Sequence, residues 1–172
     1  MSENILYRGN SIISLETVPG YPRPVVIKRP SKRRASERHV RSLEREFEMT
    51  RSLESVEGVR KALGQQSIGG LTALVLKHID GETLREHISR IELSLRGKLK
   101  LAIELARILE RIHEQSVVHL DINSNNILID NRRQTAHFID LGAAFRIGGA
   151  VDHKVGPDQI LGTLPYISPE QT

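Results

Sequence analysis

The sequence predicts an α+β fold, and three observations predict it. Short β-branched and alternating apolar segments fill the chain before Gly81, apolar residues recur at helical spacing around residues 40–53 and 95–114, and short apolar runs bounded by polar turns return after residue 116. Short strands mixed with two amphipathic helices give the composition of an α+β chain.

The elements follow in turn. "NILYRGNSIISLETV" (Asn4 to Val18) reads as strands about a turn at Gly9-Asn10, and "RPVVIKRP" (Arg23 to Pro30) as a β-branched strand bracketed by prolines. "ASERHVRSLEREFEMTRSLESV" (Ala35 to Val56) has helical spacing, with Val40, Leu43, Phe47 and Leu53 on one face. "LTALVLKHIDG" (Leu71 to Gly81) is a nearly continuous apolar run closed by Asp-Gly, which suits a buried strand and a turn. A longer helix is expected from Leu95 to Glu114, burying the face formed by Leu99, Ala102, Ala106, Leu109 and His113. Val117-Val118 and Ile127 to Ile129 read as a small strand pair, and "AHFID" (Ala136 to Asp140) as another short strand.

Composition narrows the function classes. A length of 172 residues suits one domain with a sizeable core, although the 38% hydrophobic content is on the low side. With no cysteine, neither a disulfide framework nor a thiolate metal site can form, and nothing argues for secretion. No leader-like start and no membrane-length apolar run is present, so a cytoplasmic location is expected and a membrane partner is not. The net charge of +4 is concentrated in "KRPSKRRASERHVR" (Lys28 to Arg41), where seven Lys and Arg face the single acid Glu37. Without an aromatic residue to stack on bases, this run reads as a solvated loop and helix start, and nucleic acid is not an expected partner. Within it, "RRAS" (Arg33 to Ser36) has the pattern of a basophilic phosphorylation site.

The polar centre of "VVHLDINSNNILID" (Val117 to Asp130) is the most informative stretch. A His, an Asp and several amides between apolar runs are costly to bury unless they find partners. Taken alone, His-x-Asp fits a hydrogen-bonded turn as readily as a site.

The wider order separates the two. A lone Lys28 ends a buried strand and Glu46 lies in the next helix; then come His119-x-Asp121 with Asn126 five positions on, Asp140-Leu-Gly, and "GTLPYISPE" (Gly162 to Glu170). This order resembles the protein kinase family. The resemblance implies a bilobal fold, with a small β-rich N-lobe and hinge over residues 1–79 and a partial helical C-lobe with catalytic loop and activation segment over 80–172. It implies ATP and Mg²⁺ as cofactors and a protein substrate phosphorylated on Ser or Thr.

Carried over residue by residue, Lys28 resembles the strand lysine that holds the nucleotide phosphates. Glu46 is its expected partner ahead of Glu44 and Glu48, because Met49 and Leu53 then fall where the family places apolar contacts. Asp121 resembles the aspartate that accepts the substrate hydroxyl's proton, and Asn126 and Asp140 resemble the Mg²⁺ ligands. Gly9, Leu76 and Ile79 complete the ATP-binding set with Lys28, Asn126 and Asp140. Thr163 resembles the hydroxyl residue that contacts the catalytic aspartate, and Glu170 the structural glutamate of the activation segment. The Gly-Thr and Ser-Pro-Glu ending distinguishes this pattern from small-molecule phosphotransferases.

Departures matter equally. "YRGNSII" (Tyr7 to Ile13) keeps only Gly9 of the expected glycine-rich loop, which implies weak nucleotide affinity. Leu120 stands where the family has arginine, and Asn123 where it has the lysine that contacts the transferred phosphoryl group, which implies slow or absent turnover. The alternative reading is therefore a pseudokinase, a nucleotide-binding or scaffolding module. Family members continue past Ser-Pro-Glu with several helices, so a fragment or truncated product is expected, in which the Leu95–Glu114 helix lacks apolar partners and Glu170 its arginine. "HIDGETLREHI", "HLDINSNNILID" and "FIDLGAAF" are similar to kinase domains heading large bacterial chains that continue into an ATPase module and a sensor histidine kinase. The partners so implied are cis domains of a longer signalling chain.

Overall fold

The computed structural model describes residues 4–31, 37–68, 70–148 and 162–167. They divide into two compact units: one runs to Glu54 and includes Arg60–Ile79, and the other joins Ser55–Val59 to the described residues from Asp80 onward.

The first unit is a five-stranded antiparallel sheet of β1 (Asn4–Arg8), β2 (Ser11–Glu16), β3 (Val25–Pro30), β4 (Ala62–Ile68) and β5 (Leu71–Lys77), in spatial order β1-β2-β3-β5-β4. Alternate residues of a strand face opposite sides. Val26, Leu74 and Leu76 therefore form one apolar face with Ala62, which is packed by Leu43 and Phe47 of α1 (Glu37–Ser52). Val25, Ile27, Ala73 and Val75 form the other, covered by Val18, Tyr21 and Ile68. Two expectations need correction. The helix closes at Ser52, and Leu53 is buried in the turn that follows it rather than as part of the helical stripe. β4, "ALGQQSI", was not expected: it is an edge strand paired only to β5, where polar residues meet water and the apolar signal is weak.

The second unit contains β6 (Gly81–Thr83), α2 (Leu84–Arg90), α3 (Leu95–Glu114), β7 (Val117–Val118), β8 (Ile127–Asp130), β9 (Ala136–Phe138), β10 (Phe145–Arg146) and a short 3-10 turn at Leu164–Tyr166. Thr83 starts α2 through a capping box, its hydroxyl accepting from Glu86 N while the Glu86 carboxylate accepts from Thr83 N at 2.8 Å. Ser94 caps α3 by accepting from Gly97 N at 3.2 Å. Beyond α3, Ser116 takes φ 57°, which turns the chain into β7. The expected pairing of Val117-Val118 with Ile127–Ile129 does not occur: β7 pairs with β10, and β8 lies between β6 and β9.

α3 has the expected bounds but buries a different face. Ile108 and Ile112 are buried and Leu101 and Leu105 half-buried, whereas Leu99, Ala102, Ala106 and His113 lie exposed. Both stripes are apolar, so spacing alone does not choose between them. The buried stripe is the one that meets β7 and β9, and Gly58, in the segment Ser55–Val59, packs against it. Its φ of 88° and the absence of a side chain let it lie against Ile108, where a Cβ would come within 2.6 Å of Cγ1. Its carbonyl accepts from Phe138 N at 2.8 Å. The outward stripe of Leu95, Leu99 and Ile103 is 74%, 55% and 52% exposed, a wider apolar face than single scattered residues would make.

This arrangement predicts a contrast between the two faces. Ile112→Ala should cost about 2–5 kcal/mol by the cavity it leaves, whereas Leu99→Gln with Ile103→Gln should stay within about 0.5 kcal/mol of the parent and reduce hydrophobic-dye binding. Urea unfolding and dye fluorescence measure both, and equal losses of stability would mean that the wrong face has been assigned.

Candidate functional site

In the first unit, the chemistry-bearing pair is Lys28 and Glu46. β3 directs Lys28 to the same face as Val26, beneath α1, and Glu46 falls on the inward side of α1 between Leu43 and Thr50. Lys28 Nζ donates to both Glu46 oxygens at 2.8 Å, with both side chains buried, while Glu44 and Glu48 are exposed. A charge at this depth is tolerable only with an opposite charge at bonding distance. The two-pronged contact also fixes where the ammonium sits. Leu76 is spent in the apolar face under α1, and Ile79 is half-buried where the chain leaves β5. Gly9 occupies the tight β1–β2 turn. Its N–H already donates to Ser11 O at 3.0 Å, and the Tyr7 ring lies over it where a Cβ would otherwise project.

In the second unit, the loop from His119 to Asn126 is held by hydrogen bonds converging on Asp121. Oδ1 of Asp121 accepts from Thr163 Oγ1 at 2.7 Å and from Asn123 Nδ2 at 3.0 Å. Oδ2 accepts from Asn126 Nδ2 at 2.8 Å, and the Asp121 carbonyl accepts from the same nitrogen at 2.9 Å. Asn123 Nδ2 also lies 3.1 Å from Thr163 Oγ1, and Asn123 Oδ1 accepts from Asn125 N at 2.9 Å. Next to this cluster, the Ser124 and Tyr166 hydroxyls share a hydrogen bond of 3.0 Å. The polar residues thus satisfy one another, as burial requires.

The loop is anchored on both sides. His119 is 1% exposed and its ring packs against Phe138 with centroids 5.2 Å apart. Its Nδ1 accepts from Asp121 N at 3.3 Å, and its Nε2 has no hydrogen-bond partner among the described residues. Burial pushes the imidazole pKa down, against the opposing pull of Asp140 and Asp121. The intervening Leu120 adopts φ 61°, a left-handed conformation that costs a residue with a side chain about 1–2 kcal/mol. On the far side, Ile139 N donates to Asn126 O at 3.1 Å, continuing the β8–β9 ladder. Asn126 precedes β8 and Asp140 follows β9, so the register sets these two oxygen-bearing side chains at the same end of the pair. Asp140 Oδ1 accepts from Gly142 N at 2.9 Å.

The structure thus hydrogen-bonds both Asn126 and Thr163 to Asp121 and sets Asp140 at the same end of the β8–β9 pair as Asn126, and within the first unit Lys28 bonds Glu46. Glu170 lies outside the described residues. The roles of Asn123 as a donor and of Ser124 and Tyr166 as a bonded pair were missed. Asn123 bonds Asp121 two residues away, but its contact with Thr163 and the Ser124–Tyr166 pair join residues about forty apart, which no local pattern announces.

Comparison with known proteins was made on the whole sequence. The family model for the protein kinase domain matches residues 18–172. The chain is 30% identical over 149 residues to calmodulin-binding receptor-like cytoplasmic kinase 3 of Arabidopsis thaliana, covering 80% of this chain and 29% of that protein. It is 36% identical over 104 residues to the serine/threonine-protein kinase PknA of Mycobacterium tuberculosis, covering 59% and 23% respectively. A probable serine/threonine-protein kinase of Streptomyces coelicolor is 33% identical over 100 residues, covering 57% and 15%. The matched region spans less than a third of each relative.

The buried Lys28–Glu46 pair yields a stability prediction. Glu46→Ala, which deprives a buried ammonium of its carboxylate, should cost about 3–5 kcal/mol, and the double replacement Lys28→Met with Glu46→Leu should cost less than that single change. Urea unfolding of the three proteins tests this, and a double variant less stable than Glu46→Ala would show that the pair contributes more than mutual neutralisation.

Proposed function

The chain belongs to the protein kinase domain family, and from that premise we propose that it serves ATP- and Mg²⁺-dependent phosphoryl transfer to Ser or Thr of a protein substrate, as the kinase domain of a longer signalling chain. The observation that carries the reading is the convergence on Asp121. Asn126 spends its amide nitrogen on the Asp121 carbonyl and Oδ2, which turns its own carbonyl oxygen the other way, as a donor for a cation.

The donor set suits Mg²⁺. Asn126 and Asp140 offer hard oxygen ligands at one end of the β8–β9 pair, and no group of three or more His, Asp or Glu that could hold a metal occurs among the described residues. Such a site takes its remaining ligands from phosphate oxygens and water, as Mg²⁺ sites on nucleotides do. Mg²⁺ would supply charge neutralisation on those phosphates. In this reading Lys28, fixed by Glu46, holds phosphate oxygens, and Gly9, Leu76 and Ile79 belong to the nucleotide-binding set. Asp121 orients the substrate hydroxyl and takes its proton, with Thr163 bonded to the carboxylate oxygen Oδ1. Glu170 keeps its proposed structural role in the activation segment. Dependence on ATP is consistent with a cytoplasmic location, which the reading keeps as its expectation.

A second reading, a pseudokinase that binds nucleotide or scaffolds without transfer, is favoured by one observation. The single turn glycine, Gly9, has its N–H committed to Ser11 and its surface under Tyr7, which leaves less bare backbone for phosphate than a glycine-rich loop offers.

Thermal shift with ATP, with and without Mg²⁺, followed by radiolabelled phosphate transfer, tests both. Asp140→Ala should fold and lose the Mg²⁺-dependent part of the ATP-induced shift, and Asp121→Asn should bind ATP but abolish transfer. Equal Mg²⁺-dependent stabilisation of parent and Asp140→Ala would overturn the metal assignment. Binding without transfer in the parent would select the second reading.

A further inference from the structure

We propose that Asn123 is a positioning residue, whose uncharged amide clamps Thr163 onto Asp121 and so fixes the catalytic carboxylate without a cation. The proposal deepens the reading of Asp121 as the group that takes the substrate's proton and rests on it for its functional half.

The geometry is a closed triangle. Thr163 Oγ1 donates to Asp121 Oδ1 at 2.7 Å, and Asn123 Nδ2 stands 3.0 Å from that oxygen and 3.1 Å from Thr163 Oγ1. One amide nitrogen therefore serves both members of the pair it joins. The amide cannot be turned over. Its Oδ1 accepts from Asn125 N at 2.9 Å, and a flip would lose that bond and set oxygen against the Asp121 carboxylate. At 4% exposure, Asn123 has little water to substitute for these partners.

Chemistry makes the choice of residue consequential. A lysine in this place would bring a full charge beside Asp121, whereas an amide supplies directional donors alone. The clamp therefore orients the carboxylate and ties the Gly162–Ile167 stretch to the loop by hydroxyl and amide groups, with the Ser124–Tyr166 hydroxyl pair as a second tie. No phosphorylated side chain is needed to assemble it, and the sequence between Asp140 and Gly162 contains no Ser, Thr or Tyr that could provide one.

Hydrogen exchange and transfer kinetics test the two halves separately. In the full chain, the amides of Asn125 and Tyr166, the latter donating to Thr163 O at 2.8 Å, report the loop and the clamped stretch. Thr163→Val should speed exchange at the Asn125 amide and Asn123→Ala at the Tyr166 amide, and at Tyr166 the double variant should exchange no faster than the quicker single one, because there both remove one shared contact. Thr163→Ser, which keeps the hydroxyl, should restore parental exchange even if Asn123→Ala proves too unstable to use. Additive effects, or no change in either single variant, would overturn the clamp. In transfer assays Asn123→Ala should lower kcat by on the order of 10–100-fold with the KM for ATP little changed, the mark of lost orientation rather than lost binding. Parental kcat in that variant would overturn the positioning role. A parent that shows the expected exchange but transfers no phosphate would leave the clamp standing and refute the proposed function instead.

Discussion

One carboxylate organises the second unit. Asp121 accepts bonds from Thr163, Asn123 and Asn126, and its backbone N–H donates to the ring of His119. Apolar strands can run up to both sides of this loop only because those polar groups are satisfied by one another. Removing the carboxylate would leave the Thr163 hydroxyl without its acceptor and would strip Asn123 and Asn126 of one acceptor each, a buried donor left unpaired costing about 1–3 kcal/mol. The strained backbone at Leu120 and the unpartnered Nε2 of His119 are tolerated within the same network.

The first unit solves a similar problem by other means. Lys28 and Glu46 are full charges buried beneath α1, so they depend on each other far more than two surface charges would. Sheet and helix meet through Val26, Leu74, Leu76 and Leu43, and this packing holds β3 and α1 at the separation the ion pair spans. The apolar core and the charged pair thus support the same geometry. A helix shifted by one residue would turn Glu46 out and bring Arg45 or Phe47 toward the ammonium.

Much of this was legible in the sequence, for reasons that vary by element. β3 is a β-branched run and β5 a nearly continuous apolar one, with buried residues on both faces, and α3 has a serine cap, so their existence follows from local chemistry. The facing of α3 does not, because Leu99 and Ile103 are as apolar as Leu105 and Ile108, and what meets the buried side, β7, β9 and Gly58, is set by tertiary packing. β4 was hidden by its edge position, and the partner of Val117-Val118 by its distance along the chain at Phe145-Arg146. Around Asp121, the spacing of His, Asp and Asn is local and readable. The approach of Thr163 is tertiary, and it was expected only through likeness to a family. In the sequence Asn123 shows only as the absence of a lysine, and the hydrogen bonds it makes instead are visible in the structure alone.

Leu120 shows what kind of object this loop is. A leucine held at φ 61° would relax to a right-handed or extended conformation if its surroundings were taken away, since nothing in its own side chain favours the left-handed region. The shape is imposed by pairing on either side, with β7 held to β10 and β8 to β6 and β9. A peptide copied from His119 to Asn126 would carry every polar residue of the loop and lose their arrangement. The motif is thus not portable: moved to another scaffold as a string of letters it would signal ancestry, and only a host that reproduced those flanking ladders would recover its geometry.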